Sequence, residues 1–233
     1  MATYVLIHGN WHGGWCWKKV SPLLREAGHV VYTLTLTGLG ERAHLLTREV
    51  GLATHIQDVL AVLECEELHD VILVGHSAAG ILLPVIVDRA TARLRSVVYL
   101  DAASAQSGVS LFDRYPQTRA AMAEAIATHG EGWRVPTPPI SFFGVEDDDD
   151  VRWLTARLTP HPLRVCEEPA LYAGDPRTRV PHTYIACIGD QPRGGPRFPE
   201  GEGMRYEELN TRHDAMITAP REVAELLLNQ LAL

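Results

Sequence analysis

Short, continuously apolar stretches alternate along the chain with longer stretches in which apolar residues recur every three or four positions. The first kind is typical of parallel strands buried on both faces, and the second of amphipathic helices. Six strands are predicted on this basis, at residues 3–8, 29–34, 71–75, 96–101, 183–188 and 204–209. Four helices are predicted, at residues 17–27, 54–66, 77–90 and 220–231. This alternation predicts an α/β fold with a mostly parallel six-stranded sheet flanked by helices.

The stretch from residue 104 to residue 180 interrupts the alternation. It is rich in proline and contains two helix-like pieces, at residues 117–128 and 151–158. We expect one domain, residues 1–233, in which residues 104–180 form a helical cap inserted between two strands. The acidic run at residues 146–150 precedes the second piece, where carboxylates favour the positive end of a helix dipole. A solvated helix start is therefore preferred there over a metal site.

Composition and charge favour a globular protein and disfavour one that binds nucleic acid or membranes. With 46% hydrophobic residues among 233, the chain can bury a sizeable core. The 21 basic and 29 acidic residues give a formal charge of -8, which opposes binding to nucleic acid or to anionic membranes. No basic segment precedes the first apolar residues, and no apolar stretch approaches the ~20 residues that span a bilayer. With four scattered cysteines and no CxxC pair, a cytoplasmic protein with no metal or cofactor is expected.

The third predicted strand stops abruptly at the sequence GHSAAG. A G-x-S-x-G turn between a strand and a helix holds its serine on a strained, exposed corner, where the residues two before and two after must be small. Those residues are Gly75 and Ala79. The pattern predicts Ser77 as a nucleophile; the alternative is a tight turn that contains an incidental serine.

A serine hydroxyl needs an adjacent base, which in this strand–turn–helix arrangement comes last in the order serine, acid, histidine. His213 follows the last predicted strand and is the candidate base. The acid should follow a strand that precedes it, and we predict Asp190; Asp101, at the end of the fourth strand, is the alternative. Asp214 is not counted as the acid because the side chains of neighbouring residues diverge.

Acyl transfer also requires backbone N–H groups directed at the developing oxyanion. One is expected from Ala78, directly after the nucleophile, and the other from Asn10 in the glycine-rich loop after the first strand. That loop lacks the GxGxxG fingerprint of dinucleotide-binding proteins.

Four segments resemble the small α/β-hydrolases that include plant methyl esterases, hydroxynitrile lyases and related bacterial esterases. They are VLIHGNWHGGWCWKKV with the residues that follow it, VILVGHSAAG, SFFG and HDAMITAP. The similarity covers most of the chain and is weakest in the insertion. It implies a triad of Ser77, His213 and Asp190 that acts on small esters beneath a cap, with an oxyanion hole formed by the N–H groups of Asn10 and Ala78.

The resemblance favours an esterase over a lyase. The lyases of this family carry Thr after the histidine that ends the first strand and Lys after the catalytic histidine, whereas this chain has Gly9 and Asp214. Aromatic residues in the insertion predict a mainly apolar pocket, suited to a small hydrophobic or aromatic ester, thioester or lactone.

Two other functions stay open from the sequence. One is a lyase or decarboxylase of a secondary-metabolite (polyketide-type) pathway, and the other is a non-catalytic ligand receptor. The partner expected in each case is a small molecule, and a homodimer is the one protein assembly considered.

Overall fold

The computed structural model describes residues 1–189 and 203–232. Its main sheet contains six strands in the order β2-β1-β3-β4-β7-β8, and every neighbouring pair is parallel. A second, antiparallel sheet consists of β5 and β6. The strands are β1 Thr3–Ile7, β2 Val30–Leu34, β3 Val71–His76, β4 Leu94–Leu100, β5 Arg134–Val135, β6 His161–Pro162, β7 His182–Cys187 and β8 Met204–Leu209. The six predicted strands are all confirmed, with ends shifted by at most two residues.

Helices flank the sheet, as predicted. They are α1 Ser21–Glu26, α2 Leu52–Cys65, α3 Leu83–Ala90, α4 Leu111–Arg114, α5 Pro116–His129, α6 Asp148–Thr155, α7 Leu163–Glu167, α8 Ala215–Thr218 and α9 Pro220–Leu228. Two predicted helices begin differently, because a tight 3-10 helix occupies their first turns: Gly14–Lys19 precedes α1, and Ser77–Ile81 precedes α3. In the described residues, no helix is both long enough and apolar enough to cross a membrane.

The core lies along the central strands. Each residue of β3 is buried, as expected for a strand covered on both faces. In the parallel register, Ile7 of β1 lies beside Gly75 of β3, so the two strands end at the same rim. The loops that follow the strands therefore converge at the carboxyl edge of the sheet.

The insertion between β4 and β7 contains α4 to α7 and the β5–β6 pair. It contacts the loop after β1, where the indole of Trp11 donates to the carbonyl oxygen of Val135 at 3.0 Å and the amide of Thr159 donates to the carbonyl oxygen of Trp11 at 3.0 Å. The acidic run begins α6 as expected. The carboxylate of Asp147 accepts the backbone N–H groups of Asp149 and Asp150, and the carboxylate of Asp150 pairs with Lys19 at 2.6 Å.

Candidate active site

Ser77 stands at the turn between β3 and the 3-10 helix that precedes α3. Its φ of 56° lies in the left-handed region, which a non-glycine residue adopts only when its surroundings impose it. Neighbouring glycines leave the space that this tight turn needs. A methyl group on Gly9 would lie 2.7 Å from the Cβ of Ser77, and one on Gly80 would overlap the carbonyl oxygen of Ala103. The crowding predicted at Gly75 is confirmed, since a methyl group there would lie 2.9 Å from the side chain of Leu83. Gly80, which the sequence analysis did not single out, makes a tighter approach.

His213, in the loop after β8, connects the serine to a carboxylate. Its Nε2 lies 2.8 Å from the Oγ of Ser77, and its Nδ1 lies 2.6 Å from Oδ2 of Asp101. A ring nitrogen that faces a carboxylate carries the proton, so Nδ1–H donates to Asp101. In the neutral ring Nε2 is then unprotonated and accepts the hydroxyl proton of Ser77. This is the geometry of a serine paired with a general base.

Asp101 directly follows β4 and also has a positive φ, of 42°. Its backbone N–H donates to Ile185 at 2.8 Å, and its Oδ1 accepts the N–H of Cys187 at 3.4 Å. Burial acts to raise the pKa of the carboxyl, but the hydrogen bond and charge of His213 outweigh it and hold this pKa below its usual value. The carboxylate that contacts the His213 ring is thus that of Asp101, which the sequence analysis gave as the alternative acid. The predicted acid, Asp190, lies outside the described residues.

His76 holds the backbone of the candidate base, His213, in place. Its ring is fully buried, and its Nε2–H donates to the carbonyl oxygen of His213 at 2.9 Å. Burial lowers the pKa of His76 to about 3, with His213 nearby acting in the same direction. His76 is therefore a neutral imidazole that fixes the loop rather than a second acid.

Among the described residues, one group of side chains comes close enough to hold a metal ion: His76, His213 and Asp214, whose ligand atoms lie within 4.8 Å of one another. Both ring nitrogens of His213 are bonded to Ser77 and Asp101, and Nε2 of His76 is bonded to a carbonyl oxygen. These contacts fit a proton-transfer network better than a metal centre.

The loop after β1 carries the predicted oxyanion donor, Asn10. The ring of His8 donates through Nδ1 to the carbonyl oxygen of Gly9 at 2.8 Å and accepts the N–H of Leu36 at Nε2, at 3.1 Å. Burial lowers the pKa of His8 to about 3, so it keeps this single tautomer. In a trans peptide the C=O and N–H groups point in opposite directions. His8 therefore directs the N–H of Asn10 away from itself.

The next residue, Trp11, takes a φ of 65°, which makes the loop turn sharply at this point. The second predicted donor, the N–H of Ala78, belongs to the 3-10 helix that follows Ser77.

A buried pair behind the base was missed by the sequence analysis. Nε2 of His12 lies 3.0 Å from Oδ2 of Asp214, with side-chain exposures of 2% and 0%. The carboxylate of Asp214 makes its hydrogen bond to His12, although it also lies within 4.8 Å of a ring nitrogen of His213. The pattern HGNWHGG put a second histidine near the oxyanion loop, but nothing in the sequence indicated a partner 202 residues away.

Aromatic side chains of the insertion cover this region. Phe112 and Phe143 are buried, as expected for residues that pack the insertion onto the sheet. Phe142 is 43% exposed, and its ring lies edge-on to His213 with centroids 6.3 Å apart. An apolar ring therefore lies beside the candidate base.

Comparisons with known proteins identify the family of this chain. The family model "Alpha/beta hydrolase family" matches residues 4–226. The chain is 39% identical over 240 residues to the carbendazim hydrolyzing esterase of Nocardioides sp. (strain SG-4G), covering 97% of this chain and 98% of that protein. It is 34% identical to salicylic acid-binding protein 2 of Nicotiana tabacum, covering 97% and 95% of the two chains.

Solved structures agree on the fold. An extracellular alpha/beta-hydrolase from a Paenibacillus species superposes with a TM-score of 0.84 at 22% identity, over 99% of each chain. The methylesterase MES16 from Arabidopsis superposes with a TM-score of 0.79 at 23% identity, over 100% of this chain and 99% of that one. With a parallel sheet flanked by helices and a family model that spans nearly its whole length, the chain belongs to the alpha/beta hydrolase family of enzymes.

Proposed function

We propose that this enzyme is a serine esterase in which Ser77, His213 and Asp101 form the catalytic triad. One observation carries the proposal: the ring of His213 bridges the Ser77 hydroxyl at 2.8 Å and the Asp101 carboxylate at 2.6 Å. Asp101 takes the place that the sequence analysis gave to Asp190, because the single proton on Nδ1 already has a carboxylate partner.

In the proposed reaction, Oγ of Ser77 attacks the ester carbonyl carbon while its proton passes to Nε2 of His213. The carbonyl electron pair moves onto oxygen, and the N–H groups of Asn10 and Ala78 stabilise that negative charge. The C–O bond then breaks, and the alcohol leaves with the proton from Nε2. Water repeats the sequence on the acyl-enzyme, which releases the acid and restores Ser77.

The surroundings of the triad favour a small, apolar or aromatic substrate. Phe142 presents a partly exposed ring beside His213, and Trp11 packs edge-on against it with centroids 5.7 Å apart. Rings in this arrangement bind flat apolar groups by edge-to-face contact. Two relatives are named for carbendazim and for salicylic acid, which are both aromatic compounds, so carbendazim and esters of aromatic acids are the first substrates to test.

The experiment begins with a fluorophosphonate probe, which labels an activated serine without requiring the natural substrate. Intact-mass analysis should show one adduct on the native protein, at Ser77, and none on Ser77→Ala. Hydrolysis of a panel of methyl and aryl esters of aromatic and alkyl acids should fall by ~10³-fold or more in that variant, since the serine and histidine act as a unit.

Two outcomes would count against the proposal. If the native protein binds aromatic esters but neither reacts with the probe nor releases alcohol, it is a receptor on this scaffold. If Ser77→Ala folds normally and still converts the substrate, with His213 required, the chemistry is that of a lyase or decarboxylase in which the serine only orients the substrate.

A further inference from the structure

The buried pair of His12 and Asp214 connects the two halves of the site. Asp214 follows the base in the chain, and its backbone N–H donates to the carbonyl oxygen of Phe143 at 3.1 Å. Its side chain turns inward to His12, which belongs to the loop after β1. These two residues thus join the loop of the candidate oxyanion donor to the loop of the candidate base.

Each nitrogen of the His12 ring faces an oxygen that can only accept. Nε2 lies 3.0 Å from the Asp214 carboxylate, and Nδ1 lies 2.8 Å from the carbonyl oxygen of Asn10. A ring that donates from both nitrogens is an imidazolium, so the geometry corresponds to a charged pair. Burial alone would lower the pKa of His12, but the charge of Asp214 and both hydrogen bonds raise it above its ordinary value.

The contact with Asn10 complements that of His8. His8 holds the carbonyl of Gly9, on the near side of Asn10, while His12 holds the carbonyl of Asn10 itself, on the far side. The two peptide planes that flank Asn10 are therefore fixed by different histidines. Of these two histidines, only His12 also bonds the carboxylate of Asp214, the residue that follows His213.

We propose that His12 and Asp214 act as a positioning pair that locks the oxyanion loop to the base loop, so that the Asn10 N–H and the His213 ring keep their relative placement during acyl transfer. The proposal rests on the proposed esterase function for its kinetic consequence, but the mechanical coupling of the two loops does not depend on it. A misplacement of about 1 Å in such a site costs ~10²-fold in rate.

The coupling is tested first without substrate, by hydrogen exchange and mass spectrometry on peptides that cover residues 8–15 and 210–216. Asp214→Asn, which lies in the base loop, should accelerate exchange in both segments. His12→Asn, which lies in the oxyanion loop and cannot reach Asp214, should do the same. Asp150→Asn is the matched control, because it removes an ion pair with Lys19 outside these loops. Faster exchange confined to the loop that carries the substitution would overturn the proposal.

Kinetics then separate positioning from stability. His12→Asn can keep the hydrogen bond to the Asn10 carbonyl but cannot reach Asp214, whereas His12→Gln can reach Asp214 but loses Asn10. Each should lower kcat by 10- to 100-fold with little change in KM, and should weaken binding of a trifluoromethyl ketone that forms an oxyanion on Ser77 by a similar factor. Unchanged kcat and ketone affinity in folded variants would overturn the positioning role.

A double variant guards against loss of the fold. Asp214→Asn combined with His12→Gln replaces the charged pair by two amides and leaves no single buried charge unpaired. Because the two residues act as one unit, its kcat should be no lower than that of the worse single variant. Losses that multiply would instead show that the residues act independently. Probe labelling of the native enzyme reports separately on the serine mechanism, so failure of the proposed function is distinguishable from failure of the pair.

Discussion

The buried histidines predict a steep loss of stability in mild acid. Burial lowers the pKa of His8 and of His76 to about 3, and that of His182 to about 4. In the unfolded chain each ring has a pKa of about 6.5. Between these values the unfolded state binds protons that the folded state excludes. The stability contributed by these rings is therefore fully present above pH 6.5 and is lost as the pH falls toward 3 or 4.

The size of the effect follows from this difference. From pH 7 to pH 5, one such ring lowers the free energy of unfolding by roughly 2 kcal/mol, and three together by roughly 6 kcal/mol. His12 acts in the opposite direction, because its pKa is raised in the folded protein. A domain of this kind is stable by about 5–15 kcal/mol in all, so the native enzyme should lose a large part of its stability by pH 5.

The assay is urea unfolding followed by tryptophan fluorescence at pH 5, 5.5, 6 and 7. His182→Phe removes one of the three rings and preserves the stacking on Tyr99, whose centroid is 5.7 Å away. Its loss of stability between pH 7 and pH 5 should be smaller than that of the native protein by about 2 kcal/mol. His44→Gln, at an exposed position, is the control. A native protein equally stable at pH 5 and pH 7, or an unaltered pH dependence in His182→Phe, would refute the reasoning.

Two further predictions concern the triad and the turn. Asp101→Asn should keep the geometry but disfavour the tautomer that His213 needs, and should lower kcat by up to ~10⁴-fold, whereas Asp190→Asn should cost little; the reverse order in steady-state kinetics would return the role to Asp190. Gly80→Ala should destabilise the protein by at least 1–3 kcal/mol in thermal unfolding, because its methyl group meets a backbone oxygen that cannot move aside; an unchanged melting temperature would show that the turn relaxes.

The sequence predicted those features of the site that are local in the chain. The strand–turn–helix context of Ser77 and the position of His213 after the last strand were both readable, because each depends on a few adjacent residues. The same local reasoning could not choose between the two candidate acids, Asp190 and Asp101. Asp101 and Asp190 follow strands that are neighbours in the sheet, β4 and β7, and the contact between the Asp101 carboxylate and the ring is visible only in the tertiary structure.

The pair of His12 and Asp214 was beyond sequence reasoning for a different reason. The sequence analysis did not count Asp214 as the acid, but nothing in it indicated that the hydrogen-bond partner of Asp214 comes from the first loop of the chain. Such a contact depends on β1 and β8 ending at the same rim, with three strands between them in the sheet. The predicted starts of two helices were wrong by a few residues, because 3-10 and α-helical turns place apolar residues at nearly the same spacing.

The three left-handed residues at the rim, Trp11, Ser77 and Asp101, also set a trade-off between activity and durability. Each holds a backbone conformation that costs of order 1–3 kcal/mol for a side chain other than glycine, and the rest of the fold must offset it. Replacing Ser77 by glycine would relieve that cost and remove the proposed nucleophile in one step. Selection for heat resistance alone would therefore tend to inactivate this enzyme, and a screen for stabilised variants has to read out turnover together with melting temperature.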